Sequence, residues 1–70
     1  MLLKTEVEKS TIWLLADDTV IGFIEKDSPR WSVYTLQRKI QLQLRQMFGE
    51  VVTDWQIREF AIEVLSKCKE

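Results

Sequence analysis

Two carboxylate pairs are the first residues that could do chemistry: Asp17 with Asp18, adjacent in the chain, and Glu59 with Glu63, four residues apart. Paired acids work as general acid and base when a concave, partly dry site pushes their pKa values apart. A chain of 70 residues rarely encloses such a site. The pairs are therefore read as a polar turn and a wet helix face. The chain has no His and a single Cys, Cys68. That excludes Ser-His and Cys-His catalysis, the ligand set of a zinc finger and an internal disulfide. Cys68 falls on an apolar helical stripe, where a thiol is buried and inert. The reading is non-enzymatic, with no cofactor and no metal.

Charge is the next source of chemistry. The chain carries 10 Lys and Arg against 11 Asp and Glu. Residues 1–29 hold three bases against six acids, residues 30–49 hold Arg30, Arg38, Lys39 and Arg45 with no acid, and residues 50–70 hold three bases against five acids. The middle third is a basic island. On a helix, Arg38, Gln41 and Arg45 share one side, and Lys39, Gln43 and Gln46 share another. Such side chains hold phosphates and read base edges, and they are equally ordinary on a solvated face or one paired with the chain's own acids. A net charge of −1 weighs against a general nucleic-acid coat.

The elements that must position these residues follow from periodicity. Thr11–Leu15 and Thr19–Glu25 are short β-branched and aromatic runs around Asp17-Asp18, the pattern of a β-hairpin. Lys4–Lys9 alternates weakly, so the sheet is a hairpin with room for a third, edge strand. Both central runs are almost continuously apolar, as in strands covered on both faces, and Trp13 is assigned to the core. Gly22 marks a bulge or a close backbone approach. Ser28 as N-cap and Pro29 at the first helical position open helix 1, about 30–48, with Val33, Leu36, Ile40, Leu44, Met47 and Phe48 on its stripe and Gly49 as its stop. Thr53-Asp54-Trp55-Gln56 is a capping box opening helix 2, about 54–68, with Ile57, Phe60, Ala61, Val64, Leu65 and Cys68 on its stripe. The fold class is α+β, ββαα, in one domain spanning residues 1–70.

Trp31, Tyr34 and Leu42 lie off the stripe of helix 1, and Trp55 and Ile62 lie off that of helix 2. A second apolar face on so small a chain points to a partner, most simply a second copy related by two-fold symmetry. The sequence reading is therefore a homodimeric regulatory module that binds a protein partner. Trp31, Tyr34 and Trp55 serve as anchors, Leu42 adds apolar contact, and Arg38, Lys39 and Arg45 steer association. No stretch has the length of a membrane span or the form of a signal peptide. With the unpaired Cys68, this gives a cytoplasmic expectation.

The order strand, helix, Gly, short loop and capped helix, in Thr19–Glu25, Pro29–Phe48, Gly49 and Val52–Leu65, resembles the ribbon-helix-helix family of DNA-binding repressors and antitoxins. The resemblance covers about 45 residues and rests on a hydrophobic pattern and a capped turn. It implies a second function, DNA-binding transcriptional regulation. Thr19–Glu25 would then be the ribbon shared by two subunits in the major groove, and Thr53 with Asp54 the phosphate-holding turn.

Overall fold

The computed structural model describes residues 1–27, 31–49 and 52–69. Strands β1 (Leu3–Glu8), β2 (Thr11–Ala16) and β3 (Thr19–Glu25) form an antiparallel sheet in the order β1-β2-β3, followed by helices α1 (Val33–Phe48) and α2 (Asp54–Cys68). This is the α+β class, with the third strand present. Residues 4–9 had the weakest pattern, yet β1 pairs along its whole length, from Leu3 opposite Ala16 to Glu8 opposite Thr11.

The turns tie the strands at both ends. Asp17 and Asp18 both take positive φ, 49° and 68°, as the two-residue turn that matches strand twist requires. Asp tolerates that region because its short side chain can bond locally. Here Asp17 bonds instead to Leu2, just before β1: its N–H donates to the Leu2 carbonyl at 2.9 Å, and its Oδ1 accepts from the Leu2 N–H at 2.9 Å. At the opposite end the Lys26 N–H donates to the Ser10 carbonyl at 2.7 Å.

The β2–β3 register breaks once. Leu14 faces Gly22 and Leu15 faces Val20, leaving Ile21 as the extra residue of a bulge. Ile21, Gly22 and Ile24 therefore turn inward, whereas Val20 and Phe23 are half-exposed on the other face. Gly22 marks the bulge but no close approach, since a Cβ there would meet Leu14 Cδ1 at an ordinary 3.9 Å.

Helix 1 starts later than the sequence indicated. Its N-cap is Ser32, whose Oγ accepts from the Thr35 N–H at 3.1 Å and donates to Thr35 Oγ1 at 2.8 Å. Trp31 thus precedes the helix and does not lie in its first turn. Ser28 and Pro29, assigned to open it, lie outside the described residues. The end agrees: Gly49 takes φ 79° and donates its N–H to the Arg45 carbonyl at 3.0 Å. Thr53 caps α2, accepting from the Gln56 N–H at 3.3 Å. Asp54 in the first turn and Lys67 in the last complement the helix dipole.

Both helices pack on one face of the sheet. The core between them joins Ile12, Leu14 and Ala16 of β2, Ile21 and Ile24 of β3, Leu36, Ile40 and Leu44 of α1, and Ile57, Phe60, Ala61 and Val64 of α2. Burying each large side chain contributes about 1.5–3 kcal/mol, which offsets the ordering entropy of a short chain. Met47 is a correction: it lies near the helix end, is 43% exposed, and accepts from Gln43 Nε2 through Sδ at 3.4 Å. Cys68 is only half-buried against the core edge.

Candidate interaction surfaces

Three outward surfaces result: the outer face of α1, the outer face of α2, and the sheet face turned away from the helices. On α1 the inward stripe of Leu36, Ile40 and Leu44 leaves Tyr34, Arg38, Leu42 and Arg45 pointing outward, by the helical repeat. Tyr34 is 74% exposed and Leu42 half-exposed. The helix contains no acid, so this face is apolar and positive. Gln41, grouped with Arg38 and Arg45 in the sequence, is committed elsewhere: its Nε2 donates to Asp54 Oδ1 at 2.7 Å. That bond joins α1 to the start of α2, and Asp54 sits where a negative charge is stabilised.

Trp31 differs from the other sequence-nominated anchors. It is partly buried against the core, and the Lys39 ammonium lies over its ring, 4.7 Å from the centroid. Trp31 also lines an open groove of about 1010 Å³ between the end of β3 and the last turns of α2, together with Val33, Ile62, Leu65 and Cys68. Trp55 is 67% exposed and stands with Met1, Leu2 and Leu3 around a shallower depression of about 420 Å³. The structure thus spreads the seven nominated residues over α1, the segment before it and the first turn of α2.

The sheet's outer face was not nominated. Pairing places Lys4, Leu15 and Val20 in one row across it, Glu6, Trp13 and Phe23 in the next, and Glu8, Thr11 and Glu25 in the last. Trp13 belongs here and not in the core. Its ring lies 5.4 Å from that of Phe23, tilted by 51°. The helices cover one face only, which corrects the expectation that both were covered. Leu15 is nonetheless buried on this side, apart from the main core.

Lys4 Nζ forms an ion pair with Asp18 Oδ1. The hydrogen bond to that carboxylate, and then its charge, hold the Lys4 pKa above its ordinary value. Thr11 Oγ1 lies 3.1 and 3.2 Å from the two Glu25 carboxylate oxygens, to which it donates. Glu6 and Glu8 are exposed.

Among the described residues no group of three or more His, Cys, Asp or Glu side chains is placed to hold a metal ion. Nor is any helix among them long and apolar enough to cross a membrane. No protein-family model matches the chain, and no curated protein or solved structure matches it.

Proposed function

We propose that this chain is a small, non-enzymatic regulatory module of the cytoplasm. It binds a protein partner through the aromatic and basic outer faces of its helices, and self-association is part of its action. The observation that carries this reading is the exposure of Tyr34 (74%) and Trp55 (67%) beside a core already closed by other residues. An exposed aromatic with two rotatable bonds gives large contact area for little lost entropy. Arg38 and Arg45 on the Tyr34 side of α1 add electrostatic steering. Trp31 supports the surface from beneath Lys39 instead of serving as a free anchor.

The test is photocrosslinking in the cell of origin, with a photoreactive aromatic residue at position 34 or 55 and a control at Ser10 in the β1–β2 turn. A discrete, nuclease-resistant protein adduct at positions 34 and 55, absent at the control and lost with Arg38→Glu at position 34, is expected. Equal adducts at all three positions, or adducts that nuclease removes, would sink the reading.

A further inference from the structure

The sheet's outer face and the outer face of α1 are complementary, and we propose that they dock head to tail between two copies of this chain. This rests on the reading of the α1 face as a protein-docking surface, and it names the partner as a second copy. The receiving face has an apolar centre, Trp13, Val20 and Phe23, beside three acids, Glu6, Glu8 and Glu25. Among the described residues of its three rows the one base, Lys4, pairs with Asp18, and Glu6 and Glu8 are exposed. The inserting face has Tyr34 and Leu42 as apolar contacts, carries Arg38 and Arg45, and lies on a helix without acids.

Charge decides among the possible arrangements. Two sheet faces packed on each other would gather both sets of acids at one contact, and like charges across an interface are strongly unfavourable. The outer side of α2 carries Glu59 and Glu63 together with Arg58 beside Trp55 and Ile62, so it brings more acid than base to an acidic face. Of these described faces, only that of α1 lies on a helix with bases and no acid.

Size and layering agree. Strands of six to seven residues span roughly 20 Å at about 3.3 Å per residue. A helix of 16 residues is about 24 Å long. The sheet already carries helices on its inner face, so a helix across the outer face completes the ordinary layering of helices on both sides of a sheet. A contact of this size lies below about 1,200 Å² in total, the range of weak and transient association. It is also heterologous: each added copy leaves one sheet face and one α1 face unfilled, so assembly continues past two unless a ring closes.

Sedimentation velocity on the purified chain, from micromolar to millimolar, tests this. Mean mass should rise with concentration and fall back with added salt. Arg38→Glu with Leu42→Glu, which spoils the helix face, and Phe23→Lys, which spoils the sheet face, should each weaken association by about tenfold or more. Val20→Lys replaces Phe23→Lys should the latter fail to fold by circular dichroism. Each variant keeps the face the other lost, so an equimolar mixture should associate where neither does alone, and stop at two copies. A wild-type chain that stays single at millimolar concentration overturns the proposal, as does a helix-face variant that associates like wild type, or a mixture that does not associate. Such a result beside a position-34 adduct to a different protein removes the self-docking but leaves the docking reading intact. Loss of both removes both.

Discussion

The ammonium of Lys39 lies over the indole of Trp31, 4.7 Å from the ring centroid, and so joins the first exposed turns of α1 to the segment that enters them. Trp31 is itself packed against the core. A cation over an aromatic face at a solvent-accessible site contributes about 0.5–1 kcal/mol. Lys39→Gln should lower stability by about that amount in urea titration. In a Trp31→Leu background the same change should be nearly neutral, because the coupling needs both groups. Equal losses in the two backgrounds would show that Lys39 acts on something else.

The two glycines should respond oppositely to alanine. Gly49 takes φ 79° and ψ −161°, a region essentially reserved for glycine, and forcing another residue into it costs of order 1–3 kcal/mol. Among the described residues nothing beyond its chain neighbours lies within 4 Å of a Cβ at Gly49, so the loss in Gly49→Ala is assigned to backbone strain. Gly22 has ordinary φ and room for a Cβ beside Leu14 Cδ1. Gly22→Ala should be neutral, or stabilising by about 0.4–1 kcal/mol through the unfolded chain. Thermal denaturation of both variants checks this, and a destabilised Gly22→Ala would mean that the bulge needs glycine for another reason.

Helix α2 was legible to the residue because Thr53, Gln56 and the stripe from Ile57 to Cys68 all report the same boundary. Helix α1 was legible at its end, where Gly49 has no competitor, but not at its start. Ser28-Pro29 carries the pattern of a helix start, and only the bonds of Ser32 to Thr35 show that Ser32 caps α1. The outer sheet face was hidden by the bulge. Strict alternation from Ile24 would place Val20 inward and Ile21 outward. One extra residue at Ile21 reverses both, and so assembles Val20 with Phe23 and Trp13 on the open side. An almost continuously apolar run holds no polar position to betray that reversal. Tyr34, Leu42 and Trp55 were legible because α1 and α2 are regular, so an off-stripe residue there is an outward one.

Lys4 and Asp18 give the fold a response at high pH. The pair raises the folded-state pKa of Lys4 above its ordinary 10.5. A raised Lys pKa means stabilisation that is complete below the unfolded value and lost as pH climbs through the folded one. Wild type should therefore exceed Asp18→Asn in stability near neutral pH, and the gap should close above about pH 10.5. Asn also accepts the positive φ of 68° at this turn position, so the comparison isolates the charge. The gap should be small because the pair is exposed and salt-screened. A difference that persists unchanged into strong alkali would assign it to the turn and not to the ion pair.

Duplex DNA is the sharpest external control, because the ribbon-helix-helix resemblance and the protein-docking reading use different parts of the same chain. A ribbon reader needs β3 side chains that reach base edges and a start of α2 open to phosphate. The face β3 turns outward holds Val20, Phe23 and Glu25, and Asp54 brings a carboxylate, bonded to Gln41 Nε2 at 2.7 Å, to the start of α2. Neither invites a polyanion. Phosphate contacts would reveal themselves as affinity falling linearly on a log scale with salt, with a slope near −0.9 per contact. The purified chain should show no duplex retention at physiological salt, and any binding at low salt should be shallow in slope and abolished by Arg38→Glu with Arg45→Glu. Tight retention with a slope of several contacts that survives those substitutions would shift the function to DNA and move its site from α1 to β3.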